Sequence, residues 1–316
     1  MRLAKALFLR LLFGLLSLLF ISFVTFVANE AAPGDAALVL AGEKASPETI
    51  ARIRHNLGLD QPWPARYVRY VGHAARGDFG TSYYGIKEPV SDILARNLPM
   101  TIRLATSAIL LASIIGILLG TLAGLYHNRF ADRSVLIFST LGVTLPNFVL
   151  GPLFVYIFSL QLNRLPQTWS YDRPLPDWMY LIMPVALLAM RPTALLTRLT
   201  RASMIDTLQQ EFIRTATAKG VPRGRLVFRH ALRNAILPSI TAIGTSCGYL
   251  LTGSFVVERF FILPGIGRET IEAIQQGNLP VIQACVFVTG AMFIGINLLV
   301  DLILPMLDPR IRESQV

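Results

Sequence analysis

Apolar residues in this chain are gathered into long blocks between charges and do not recur at the spacing of a half-buried helix or strand. Leu11 to Asn29, Leu104 to Asn128, Ser134 to Asn163, Asn234 to Val257 and Ala273 to Val300 each run without a Lys, Arg, Asp or Glu. A bilayer core takes about 20 apolar residues per helix, so these blocks predict five membrane spans. A sixth, Trp178 to Thr197, is interrupted by Arg191 and Pro192, yet topology requires it: without it the basic segment after Arg198 falls on the wrong side. The first block also resembles a secretory signal, but its uncharged stretch exceeds the roughly 7 to 15 residues of a signal core, so an uncleaved anchor is expected.

Composition supports the bilayer as solvent. Of 316 residues, 53% are hydrophobic and 15% charged, well below the roughly 25% charged of soluble domains. With the amino terminus inside, inner segments carry fifteen Lys and Arg, outer segments thirteen, and Arg191 lies within a span. Nine of the outer thirteen fall in Glu30 to Arg103, and segments beyond about 60 residues translocate largely regardless of charge. Both termini are therefore expected on the cytoplasmic side. The formal charge of +10 is accounted for by membrane flanks and calls for no nucleic acid. Cys247 and Cys285 lie in spans and read as small apolar residues.

The organisation that follows is an amino-terminal segment with the first span (1–28), an external helical cap (29–100), a five-helix membrane core (101–306) with an inner loop 198–235 and an outer loop 258–280, and a cytoplasmic tail (307–316). In the cap, Ser46 suits a helix N-cap with Pro47 at the first position, Ile50, Ile53 and Leu57 share a face, and Gly58 ends the helix. A second amphipathic helix is expected from Pro64 to Arg76. Gly116, Gly120 and Gly124 at four-residue spacing offer a bare face for close helix approach. Pro146, Asn147 and Pro152 in the third span, and Pro238, Gly244, Gly248 and Gly253 in the fifth, mark broken helices, which membranes tolerate where protein or a water-filled cavity covers the freed backbone. A path lining and plain kinked packing both fit.

The inner loop is the most informative stretch. A short helix starting near Asp206, with Leu208 and Phe212 on one face, reaches Thr215, Ala216 and Ala218. Gly220 supplies a left-handed stop, and Pro222 opens a second helix. Two short helices meeting at a glycine, basic and projecting from the membrane, suit docking into a cleft on a cytoplasmic partner; a plain basic loop is the simpler reading. The sequence holds no phosphate-binding GxxxxGK[ST] loop, no GxSxG elbow and no metal-ligand cluster among its four histidines. No catalytic residue, metal site or cofactor is expected on this chain.

At this loop the sequence resembles the permease subunits of binding-protein-dependent ABC importers, and specifically the first of the two permeases in the dipeptide, oligopeptide and nickel group. In the general frame of that family (EAA, three residues, Gly, nine residues, IxLP), Ala216, Gly220 and Leu232 match, while Arg214, Thr215, His230 and Arg233 depart. The forms here, RTATAKG from Arg214 and FRHALRNA from Phe228, are similar to those usual in the peptide-type first permease. Pro33-Gly34-Asp35, LGLDQP from Leu57, GDFGTS from Gly77, Pro99 with Thr101, LPGIG from Leu263, PVIQ from Pro280, NLLVD from Asn297 and LDPRIR from Leu307 extend the likeness along nearly the whole chain. Gly277-Asn278-Leu279-Pro280 departs, since an acidic residue commonly stands before the Pro segment.

The resemblance implies an all-α integral membrane protein of type I ABC importer architecture, in a bacterial inner membrane. It implies a second homologous permease, two cytoplasmic ATPase subunits that bind ATP and Mg, and an external solute-binding protein. It places the coupling helix at roughly Glu211 to Val221, with Glu211, Arg214, Thr215, Ala216, Lys219, Gly220 and Val221 as contacts to an ATPase. Short peptides, a nickel or other metal chelate, and glutathione are the cargoes of that group. For Arg191, Asn147, Gly244 and Gly248 a place on the translocation path and a structural role stand side by side, Arg191 as a structural ion pair. Asp301, near the inner end of the last span, suits a structural pairing. An ion-gradient-driven secondary transporter is the alternative; such carriers show related halves and midplane ionisable groups, and the sequence shows no repeat.

Overall fold

The structure, a computed structural model, describes residues 2–31, 36–42, 45–170, 172 and 175–307. Pro33-Gly34-Asp35 and the tail from residue 308, with all but the first residue of LDPRIR, lie outside them. In chain order the helices are α1 (Arg2–Ala31), α2 (Ala36–Ala41), α3 (Pro47–Asn56), α4 (Trp63–Ala74), α5 (Val90–Leu125), α6 (Phe130–Thr144), α7 (Asn147–Phe154), α8 (Asp177–Leu208), α9 (Glu211–Ala218), α10 (Arg223–Arg225), α11 (Leu232–Ala235), α12 (Leu237–Phe260), α13 (Ile266–Gln276) and α14 (Leu279–Leu307). Wider π-helical turns follow α7 (Val155–Gln161) and α10 (Leu226–Ala231). Among the described residues the only strand-like pairing is one antiparallel bridge between Thr81 and Pro89.

Four helices are long and apolar enough to cross a membrane: Phe8–Ala31, Val90–Leu125, Asp177–Leu208 and Leu279–Ile303. Two bent pairs qualify together, Phe130–Thr144 with Asn147–Gln161 at 107° and Arg223–Ala235 with Leu237–Thr252 at 52°, which makes six spans if each pair counts as one. The first bend falls at Leu145 and Pro146, where proline cannot continue the hydrogen-bond ladder; it is far sharper than a kink within one span.

The chain divides into two compact units, Met1–Thr101 with Pro264–Ile294, and Ile102–Leu263 with Gly295–Val316. In the first, Ser46 Oγ accepts the Thr49 N–H and Pro47 opens α3, as its punctuation predicts. Helix α4 lies against α1: the Ser22 and Tyr67 hydroxyls are 2.9 Å apart, Phe23 and Phe26 pack on the Tyr67 ring, and Arg66 donates to Glu30 at 2.8 Å. The core of this unit joins Val90, Ile93 and Leu94 to Ile266, Ala273, Val281, Ala284 and Cys285. That core explains why α5 begins at Val90, well before the apolar block. Its first turns are amphipathic, and one side of them is buried, so charge at Asp92 and Arg96 marks only the other side. Pro99 lies inside the helix and does not end it. Similarly the last span begins at Leu279 and not at Ala273: α13 is a separate amphipathic helix, closed at the left-handed Gly277.

In the second unit α5 and α8 meet along the glycine row. A Cβ on Gly116 would lie 2.7 Å from Leu196 Cβ, on Gly120 2.6 Å from the Thr197 carbonyl oxygen, and on Gly124 2.6 Å from Met204 Cβ. Such distances leave no room for a side chain, so the row serves close helix packing. Helix α8 accommodates Pro184 and Pro192 and continues to Leu208. It also packs on α12, where the Thr200 and Ser239 hydroxyls pair at 2.8 Å in a buried position.

Candidate coupling element and membrane path

The segment after α8 is built from punctuation. Gln209 and Gln210 break the helix, α9 starts at Glu211, and the short helix expected near Asp206 therefore begins five residues later, with Asp206 in the last turn of α8. The break resets the helical phase. Leu208 points into an apolar cluster while Phe212, expected on the same face, is exposed; Ile213 is the buried residue of α9. Ile213 packs with Met204, Val227, Ala231 and Ala235, and with Leu125, Leu208, Leu226 and Leu232 at the margin. This cluster fixes α9 to the C-terminal ends of α5 and α8 and to the returning segment.

At the other end of α9, Gly220 has φ +73°. The Val221 N–H bonds the Ala216 carbonyl at 3.2 Å and the Gly220 N–H bonds the Thr217 carbonyl at 3.0 Å. These two bonds form a Schellman C-cap, which satisfies carbonyls that would otherwise be orphaned and turns the chain into Pro222, the N-cap of α10. The surface left open carries Glu211, Arg214, Thr215, Lys219 and Gly220, with Ala216 and Val221 half-buried. Arg214 pairs with Glu211 at 3.2 Å, their side chains 71% and 87% exposed, and Thr215 donates back to the Glu211 carbonyl. Of the expected coupling residues, all seven thus sit on one short helix and its cap. Phe228, 66% exposed on the returning π-helical turn, belongs to the same element and was missed as a surface residue, because a π-helical turn shifts side chains off the 3.6-residue period.

A second feature was invisible in the sequence. Asp132, in the first turn of α6, is buried and accepts from Arg201 Nε at 2.5 Å, Arg201 Nη2 at 2.8 Å and the Asn128 N–H at 2.9 Å. His127 Nδ1 lies 3.3 Å from Asp132 and 3.2 Å from Arg201. This bidentate pair ties the turn between α5 and α6 to α8 just before the coupling segment. Its partners lie 69 positions apart, and each reads in sequence as an ordinary flanking charge. Glu258, placed at the start of an outer loop by its charge, is likewise fully buried in α12.

Of the four path candidates, Arg191, Gly244 and Gly248 lie along or against α12, and Asn147 stands at the start of α7. Asn147 is the half-buried first residue of α7 at the 107° bend. Gly244 faces the Val300 side chain so closely that a Cβ would overlap it, and Gly248 is buried. Arg191 is exposed on α8 and donates to the Tyr249 hydroxyl, its guanidinium 4.8 Å from that ring's centroid. The expected ion pair of Arg191 finds no carboxylate among the described residues; an aromatic ring holds it. Asn278, in the segment that departs from the family pattern, is buried, accepts the Tyr83 N–H and donates to Ser82 Oγ.

A helical multi-pass membrane chain with broken spans and an exposed two-helix element is the architecture of a type I ABC importer permease. The chain belongs to the family of binding-protein-dependent transport system inner membrane components: that family's model matches residues 116–313, and the companion model for the N-terminal membrane component matches residues 3–105. It is similar to the glutathione transport system permease protein GsiC of Salmonella paratyphi A, 37% identical over 305 residues covering 96% of this chain and 98% of the relative. The GsiC protein of Escherichia coli K12 is 37% identical over 95% of this chain and 97% of its own. A Sinorhizobium fredii protein named "Probable peptide ABC transporter permease" is 37% identical over 91% and 92%. The protein is therefore an ABC importer permease of the peptide and oligopeptide family, a multi-pass inner membrane component and not an enzyme.

Proposed function

We propose that this permease forms, with a second homologous permease, the path by which short peptides or glutathione-like solutes enter the cell, driven by two cytoplasmic ATPase subunits that bind ATP and Mg and supplied by an external solute-binding protein. The observation that carries the reading is the α9 element. Its apolar side is anchored to the inner ends of α5 and α8, while Glu211, Arg214, Thr215, Lys219 and Gly220 face outward from a rigid Schellman-capped turn. A docked ATPase that moves α9 thereby moves α8 with it, and such movement is what shifts a two-state equilibrium.

In this reading the termini and α9 are cytoplasmic and α3 and α4 face outward, as the distribution of Lys and Arg in the short loops favours. Glutathione and peptide appear in the names of similar proteins, which supports that solute class. The test is affinity purification of the tagged chain from gently solubilised membranes, with mass spectrometry of co-purifying chains and an ATPase assay. One further permease and two nucleotide-binding subunits are expected; a chain recovered alone and without ATPase activity overturns the proposal.

A further inference from the structure

Arg191 lies about 21 Å along α8 from Asp177 and about 15 Å from Arg201, at 1.5 Å per residue, which sets it near the middle of a span. A guanidinium at that depth is expensive in lipid and marks protein or water on its open side. Among the described residues its partner is Tyr249, which supplies a hydroxyl and a ring face. Hydroxyl and ring together hold the fork without neutralising it. The side chain is nevertheless exposed on the chain.

The face beside it on α12 is polar. Thr245, Tyr249 and Thr252 are exposed one turn apart, with Thr241 half-buried above them. Thr245 and Thr252 donate to carbonyls of their own helix, Ala242 and Tyr249, so their oxygens present lone pairs outward. A hydroxyl-lined strip with one uncompensated cation at mid-span is poorly suited to lipid tails and well suited to a wet path. Guanidinium forks bind carboxylates bidentately, and an aromatic platform beneath leaves the outer edge of the fork open.

We propose that Arg191, seated on Tyr249, is a carboxylate-binding site of the translocation path, so that the permease itself favours solutes with a free carboxylate. The inference rests on the importer-permease reading and adds solute chemistry to it. The test uses the complete purified complex in lipid nanodiscs without its external binding protein, so that selection there plays no part. The probes are a benzophenone-bearing tripeptide with a free carboxyl terminus and the same tripeptide as its C-terminal amide, crosslinked by light and mapped by mass spectrometry. Labelling of α8 and α12 near Arg191 and Tyr249 is expected to favour the acid by about 5-fold or more, as a charge-assisted pair against a neutral one. The preference should vanish in Arg191→Gln and survive in part in Arg191→Lys, which keeps the charge but not the fork; the lysine variant also serves should the glutamine variant fail to assemble. Equal labelling by acid and amide, labelling only elsewhere, or a preference intact in Arg191→Gln overturns the site. Those outcomes leave the permease assignment standing, whereas failure to co-purify ATPase subunits removes both.

Discussion

The cap and the C-terminal end of α8 use charge in opposite ways. Around α3, α4 and the start of α5 the pairs reach water: His55 with Asp60, Arg66 with Glu30, His73 with Asp78 and Arg96 with Glu88 each have at least one side chain more than 40% exposed. At the C-terminal end of α8 one pair, Asp132 with Arg201, is sequestered, with carboxylate side-chain exposure of 2% and guanidinium exposure of 19%. Exposed pairs contribute little because water and salt screen them. A sequestered bidentate pair contributes little net energy relative to an apolar pair, but its halves cannot be separated cheaply. The exposed pairs can therefore lose a charge with small effect, whereas the joint of α6 with α8 cannot.

Removing one partner of the inner pair should have the largest effect. Asp132→Ala strands the Arg201 guanidinium and the Asn128 N–H, and the expected loss is about 3–5 kcal/mol, read as a lowered unfolding midpoint and poor recovery of the detergent-solubilised chain. Loss below about 1 kcal/mol would place the pair among the screened ones. Next comes the α5–α8 contact. Gly120→Val puts a branched side chain where even a Cβ lies 2.6 Å from the Thr197 carbonyl oxygen; overpacking of this kind costs about 1–3 kcal/mol, visible in the same thermal assay. Gly120→Ala should fall between wild type and valine.

The coupling turn tests mechanism more than stability. Gly220→Val forces a branched residue to φ near +73°, at a cost of about 1–2 kcal/mol. The chain should still reach the membrane, but ATP-driven uptake in cells should fall by tenfold or more, a loss of about 1.4 kcal/mol or greater in coupling. Uptake at the normal level would remove the rigid α9 turn from the mechanism.

These sites differ in how far sequence revealed them. The four long apolar spans, the Ser46 cap, the glycine row and the Gly220 stop were legible because each rests on local chemistry: apolar length, a side-chain acceptor, absence of Cβ, a left-handed residue. The phase of α9 was not, since Gln209 and Gln210 break α8 without proline or glycine and move Phe212 to the surface. Nor was the start of α5, whose first turns alternate charge with buried Ile93 and Leu94 and so resemble cap more than span. The Asp132–Arg201 pair and the Arg191–Tyr249 contact depend on tertiary approach over 69 and 58 positions, for which a single sequence offers no local sign.

Within the first unit, two carboxylates, Glu269 on α13 and Asp78 in the cap, sharpen the contrast by responding to pH with opposite sign. Burial and the neighbouring Glu272 push the Glu269 carboxyl up, against the pull of Arg96, Arg268 and Asn97. A raised carboxyl holds its contribution below its unfolded pKa and loses it as pH rises through the folded value. Glu269→Gln keeps an acceptor for Asn97 Nδ2, now at 3.0 Å, and should stabilise the first unit slightly at neutral pH, by less than about 1 kcal/mol, while flattening the alkaline side of the acid transition.

Asp78 should show the smallest effect and the reverse sign. Its hydrogen bond from His73, aided by the Gly80 N–H, holds its carboxyl below the usual range. A lowered carboxyl contributes above its unfolded pKa, near 4, and the contribution is lost as pH falls through the folded value. Both side chains are more than half exposed, so screening limits the contribution to a few tenths of a kcal/mol, roughly the range of a surface pair. Asp78→Asn should therefore leave the unfolding midpoint at pH 7 nearly unchanged and remove a small fall between pH 5 and 3, both ordinary acid-titration values. A loss as large as that of Asp132→Ala would mean that the cap turn carries sequestered charge after all, and its contrast with the Asp132–Arg201 joint would have to be redrawn.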